Sequence, residues 1–129
     1  INDYNSMCAE FLGSELKNDG QFDYWTYDHL DFHPLKICGS SWVSGNFEFH
    51  SDWNWIHEVV EAIEKLYDDF HGHFVVYISS NSCTIQGTKL NTTSENFHPA
   101  YFSEYYGSDK KEAVVQAINQ FLIWYNNKH

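Results

Sequence analysis

Arginine is missing altogether. All seven basic residues among the 129 are lysines, they face 18 acids, and the formal net charge is -11. Nucleic-acid binding relies on basic side chains that displace counterions, and a two-pronged grip on phosphate is an arginine property. Direct nucleic-acid binding is therefore not expected. No apolar stretch approaches the roughly 20 residues that span a bilayer as a helix, so no membrane partner is expected either. Ile1 does not open a leader with a basic start and an apolar run. A soluble cytoplasmic protein is the expectation, and the absent initiator Met implies that the sequence starts inside the natural chain. Cysteine is sparse, and Cys8, Cys38 and Cys83 are odd in number and far apart. That pattern fits free thiols in a reducing compartment, not a disulfide framework.

Aromatic side chains are abundant instead. They make up 19% of the chain, with five Trp, nine Tyr and ten Phe. So many rings cannot all be interior in one small domain, because Trp and Tyr need partners for their polar tips. Some are expected half-exposed, where aromatic residues serve recognition. The acids are unevenly distributed: residues 1–64 hold twelve against two lysines, and the remainder hold six against five.

Hydrophobic spacing outlines a single domain over residues 1–129. Tyr4, Met7, Cys8, Phe11 and Leu12 recur at helical spacing and predict a short helix over about 3–12, stopped by Gly13. Strands are expected within 21–50, most clearly at Asn46–His50, where Phe47 and Phe49 alternate with polar residues. Ser51 or Asp52 can cap a central helix over about 52–70, whose apolar stripe is Ile56, Val59, Val60, Ile63, Leu66, Tyr67 and Phe70. Phe74–Ile78 reads as a buried strand and opens a hairpin over about 73–87. Tyr101–Tyr105 offers one more strand, and Ser108-Asp109 caps a last helix over about 109–126. The fold class expected is α+β: a single-domain layered sandwich with about three helices on a small, mostly antiparallel sheet.

Three blocks also resemble small tailed-phage and prophage proteins of the phage ABA sandwich domain type. They are Glu10-Phe11-Leu12-Gly13; the run Phe49 to Ile56 with Val59-Val60-Glu61 and Ile63-Glu64; and Lys111-Glu112-Ala113-Val114 continuing through Ala117-Ile118, Phe121 and Trp124-Tyr125-Asn126. The resemblance covers under half of the chain. It implies a phage origin, the cytoplasm of an infected bacterium as the setting, and helices sandwiching a sheet; it supplies no catalytic residues.

Chemistry-bearing clusters are few. His71-Gly72-His73 beside Asp68 and Asp69 can in principle hold a divalent ion, and the competing reading is a solvated turn with His against a helix C-terminal dipole. Glu58 and Glu61 share a helical face, which reads as a hydrated acidic surface. No nucleophile signature or phosphate loop is present, so no cofactor is expected and an enzyme is the minority reading. The sharpest segment is 19–33, where acids alternate with large aromatics and no basic residue intervenes. One reading makes it an edge strand that buries Phe22, Tyr24 and Leu30 and exposes its acids. The other makes Asp23, Asp28 and Asp31 face a basic groove on a partner, with Trp25, Tyr27 and Trp42 as anchors.

On that reading the function expected is non-enzymatic: a phage accessory protein that binds and inhibits a host protein with a basic surface, a defence or nucleic-acid-handling protein. Two alternatives compete. One is a small-molecule binder that stacks a nucleotide-derived signal on Trp25, Trp42 or Tyr77. The other is a metal-dependent hydrolase built on His71, His73 and Asp69.

Overall fold

A computed structural model describes residues 2–18, 23–26, 41–42, 47–91, 98–99 and 101–128. The fold class is α+β, as the spacing predicts. Among the described residues there are three helices, α1 (Asn2–Phe11), α2 (Trp53–Lys65) and α3 (Lys110–Lys128), and the largest sheet is four-stranded and antiparallel. The chain contacts cluster into two compact units, Ile1–Val59 and Val60–His129, with the division falling inside α2.

In the first unit, α1 ends in a left-handed glycine turn. Gly13 has φ 100°, and the Gly13 and Ser14 amides close back on the carbonyls of Glu10 and Ala9 at 3.0 and 2.9 Å. Three short strands follow, β1 (Glu15–Asn18), β2 (Asp23–Thr26) and β3 (Ser41–Trp42), paired antiparallel in that order. The strand expected at Asn46–His50 is replaced, over the described residues 47–50, by an irregular segment that enters a turn. Phe47 and Phe49 are both buried, as their alternation suggests. Their carbonyls, however, are satisfied by α1 side chains: Asn5 Nδ2 donates to Phe47 O and the Tyr4 hydroxyl to Phe49 O, both at 3.1 Å. A buried carbonyl needs one partner, and a side chain serves as well as a neighbouring strand. Asp52 then caps α2, its carboxylate accepting the Asn54 amide at 2.8 Å. Trp55 packs edge-on to Phe49, ring centroids 4.9 Å apart.

In the second unit, α2 stops at Lys65 and does not reach residue 70. Tyr67 and Phe70 continue the helical spacing, but Tyr67–Asp68 forms β4, and Tyr67 pairs with His73 on β5 (Gly72–Ile78). Gly72 makes the entry with φ 73°. β5 pairs with β6 (Ser82–Gly87), the strands β7 (Leu90–Asn91) and β8 (His98–Pro99) pair with each other, and β9 (Phe102–Tyr106) pairs with β6. The four-stranded sheet therefore runs β4-β5-β6-β9.

α3 begins on Asp109, whose carboxylate accepts the Glu112 amide at 2.8 Å. It packs on β6 and β9, burying Ala113, Val114, Ala117, Ile118, Phe121 and Leu122. Phe74, Phe121, Trp124 and Tyr101 form one ring cluster on that inner side, with Tyr101 and Trp124 centroids 4.3 Å apart. β5 is not the wholly buried strand its β-branched and aromatic run suggests. Phe74 is buried, whereas Tyr77 is 55% exposed.

Candidate functional site

Two candidate surfaces emerge, one in each unit. In the first, Asp23 and Trp25 lie on β2 and Trp42 on β3, and the register sets Trp25 directly opposite Trp42. The pairing brings together two of the three aromatic residues expected to anchor a partner. Tyr27, Asp28 and Asp31 lie outside the described residues.

The second surface is the outer face of the four-stranded sheet. Side chains alternate across a strand, so residues paired across the ladders share a face. Tyr77 pairs with Thr84 and Thr84 with Glu104, while Val75 pairs with Gln86 and Gln86 with Phe102. Ser82 opposite Tyr106 and Tyr67 opposite His73 extend the same face. Four of its side chains are large aromatics more than half exposed: Tyr67 56%, Tyr77 55%, Phe102 55% and Tyr106 65%. Glu104 stands between Phe102 and Tyr106 on β9, with Tyr67 on the far strand β4, and accepts hydrogen bonds from Thr84 Oγ1 at 3.1 Å and from the Tyr106 hydroxyl at 3.0 Å. The hydrogen bond to this carboxylate, reinforced by its charge, holds the Tyr106 proton and raises the pKa of that phenol.

Tyr67, Phe102 and Tyr106 do not stand out in the sequence. The available signal was the alternation of aromatic with polar residues, which marks a two-faced strand without saying which face meets the core. Tyr77 does figure in the sequence reading, as a stacking platform. Among the described residues, this face therefore presents exposed aromatic rings together with a single hydrogen-bonded carboxylate, Glu104.

The histidine cluster is arranged differently from either sequence reading. His71 is not in a solvated turn: it is 3% exposed, stacked on Phe74 and edge-on to Trp124. Asp68 holds its Nδ1 at 2.8 Å. His73 lies on the outer face, exposed, with its ring 5.0 Å from Tyr67 and Nδ1 3.1 Å from the Leu66 carbonyl. The two imidazoles thus serve separate neighbours, and Asp69 joins neither by any described contact. Among the described residues, no three His, Cys, Asp or Glu side chains gather so as to hold a metal ion.

Cys8 and Cys83 are free and buried. Burial pushes their thiols up to about 12 and about 11 respectively. Such thiols are poor nucleophiles at neutral pH. No described helix is long and apolar enough to cross a membrane. No family model, curated protein or solved structure matches the chain.

Proposed function

We propose that this chain is a non-enzymatic binding protein that meets the basic surface of a partner protein through acidic and aromatic contacts. The observation that carries the reading is the set of three half-exposed aromatics, Tyr77, Phe102 and Tyr106, near Glu104 on one sheet face, with Tyr67 exposed on the strand at the far side, in a chain of net charge -11 without arginine. Contiguous exposed aromatic surface marks an interaction site, and surplus negative charge steers a cationic partner toward it. The β2–β3 segment is the second contact in this proposal, with Asp23, Asp28 and Asp31 supplying charge and Trp25, Tyr27 and Trp42 the anchors.

The resemblance to small phage proteins supplies the setting: a phage accessory protein in the bacterial cytoplasm that inhibits a host defence or nucleic-acid-handling protein by occupying the groove where nucleic acid would lie. The test is affinity capture from bacterial lysate, repeated with a Tyr77→Ser/Tyr106→Ser variant and with Asp23, Asp28 and Asp31 changed to Asn. One captured protein should be lost by at least one of these variants. Its affinity should fall more than about fivefold as salt rises from about 50 to about 300 mM, because exposed charges more than a Debye length apart are screened. A change below about twofold, with both variants still binding, would remove the electrostatic basis of the proposal.

A further inference from the structure

We propose that β9 accepts an added strand: an extended segment of a partner protein bearing lysine or arginine pairs with its open edge and makes the four-stranded sheet five-stranded. This mode of contact rests on the binding reading above and specifies its geometry.

The ladder between β6 and β9 is bracketed by two backbone hydrogen bonds in one register. The Gly87 amide donates to Tyr101 O at 3.0 Å and the Gly107 amide to Asn81 O at 2.9 Å. Antiparallel ladders alternate hydrogen-bonded and non-hydrogen-bonded pairs, so Ser103 and Tyr105 turn their backbone groups toward β6. Phe102, Glu104 and Tyr106 turn theirs outward. β9 is the last strand of the sheet, and none of those three residues has a further backbone partner among the described residues. The opposite side of the sheet is treated differently: β4 covers the start of β5, and the Val76 amide lies 3.4 Å from a Glu64 carboxylate oxygen.

Exposed edges invite pairing, and proteins usually guard them with proline, lysine or a bulge. The β9 sequence Phe-Ser-Glu-Tyr-Tyr has neither proline nor lysine, its register with β6 is unbroken over five residues, and its one charged guard, Glu104, repels an anionic strand but not a cationic one. Charge selects the occupant. A second copy paired antiparallel about the strand centre would set Glu104 against its own counterpart, between two chains of net charge -11. A lysine or arginine in that place meets the Glu104 carboxylate, with Phe102 and Tyr106 two residues to either side as faces for cation-π contact. Main-chain hydrogen bonds supply the pairing, and the alternate side chains supply the choice.

The probe is the peptide acetyl-Thr-Arg-Val-Lys-Val-Arg-Thr-amide, whose three cations share one face of a strand. Hydrogen exchange by NMR should show the amides of Phe102, Glu104 and Tyr106 slowed by about tenfold or more on saturation. N-methylation of the three cationic residues keeps charge and shape but removes the N–H groups that would face β9, and should weaken binding by about tenfold or more. Glu104→Lys should do the same.

Four results would overturn the proposal. The first is no binding at millimolar peptide, and the second is equal binding of the N-methylated form. The third is protection of other amides, and the fourth is protection of these amides by rising protein concentration alone, which would make a second copy the occupant. Lysate capture decides the binding function independently. A captured partner with no peptide pairing would leave that function standing and remove the strand addition.

Discussion

His71 and Asp68 are joined across a three-residue turn, with Nδ1 of the imidazole 2.8 Å from one carboxylate oxygen and 2.9 Å from the other. The same carboxylate accepts the backbone amides of Phe70 at 2.9 Å and His71 at 2.6 Å. Partial burial alone would raise the Asp68 pKa, but the hydrogen bonds and the His71 charge outweigh it and the net direction is down. A carboxyl with a depressed folded pKa contributes stability above its unfolded value of about 3.9 and loses it as pH falls through the folded value. The Asp68 side chain is 40% exposed, so solvent screening trims the benefit, and Asp68→Ala should cost about 0.5–1.5 kcal/mol at neutral pH. In urea melts the gap to the parent protein should narrow below about pH 4. A gap of constant size down to pH 2.5 would place the stabilisation elsewhere.

Tyr4 tests the replacement of a strand by side-chain bonds. Its hydroxyl is buried and donates to Phe49 O at 3.1 Å, and burial together with the Cys8 thiol raises its pKa. Tyr4→Phe leaves that carbonyl without its donor and should lower stability by about 1–2 kcal/mol in thermal or urea melts. Asn5→Ala, which frees both Phe47 O and the contact to His50 Nδ1 at 3.1 Å, should cost at least as much. A loss below about 0.3 kcal/mol in both variants would mean that other donors already serve the segment.

These contacts explain which parts of the fold were legible in the sequence. The start of α2 was, because Asp52 and the stripe Ile56, Val59, Val60 and Ile63 act within a few residues of one another. Its end was not. Tyr67 and Phe70 keep the helical period, and only the pairing of Tyr67 with His73 and the pull of Asp68 on two amides show that the chain has turned. Phe47 and Phe49 revealed their burial by alternation, yet their carbonyl partners lie 42 and 45 residues away, where no local pattern reaches. For the candidate site, composition showed that aromatics must surface, while register decided which. Phe102 and Tyr106 face outward because Ile85 and Cys83 on the neighbouring strand take the core side.

Gly87 marks a close approach of two backbones. A Cβ built there would lie 2.9 Å from the His71 carbonyl oxygen and 3.3 Å from its Cβ. Backbone atoms on that side cannot swing away as a flexible side chain would. The His71 carbonyl is also fixed by the Lys89 amide at 2.9 Å. Gly87→Ala should destabilise by about 1–3 kcal/mol, as overpacking does. Chemical shifts should move around His71 and Trp124. A variant as stable as the parent would show that the turn yields without cost.

The thiols provide a check on burial in each unit. With pKa values pushed up to about 12 and about 11, Cys8 and Cys83 are almost wholly protonated at pH 8. Both are also shielded from solvent. Mass spectrometry after a pulse of thiol reagent should find both labelled at less than about a hundredth of the rate of a small free thiol, with full labelling in denaturant. Rapid native labelling of Cys83 would contradict the packing of β6, and of Cys8 that of α1.

The outer sheet face should be dispensable for folding, as a surface kept for a partner would be. Phe74 sits on the inner side, 2% exposed and edge-on to Phe121 with ring centroids 5.1 Å apart, and Phe74→Ala should cost about 3–5 kcal/mol. Phe102 and Tyr106 belong to the same sheet but are more than half exposed. Phe102→Ser and Tyr106→Ser should each stay within about 0.5 kcal/mol of the parent, the range of ordinary surface substitutions. Tyr106→Ser also frees Glu104 of one hydrogen bond and keeps the Thr84 bond, so the carboxylate remains presented. Urea melts of the three variants separate the possibilities. A cost above about 2 kcal/mol at Phe102 or Tyr106 would mean that these rings are structural and that the aromatic face is not held in reserve for binding.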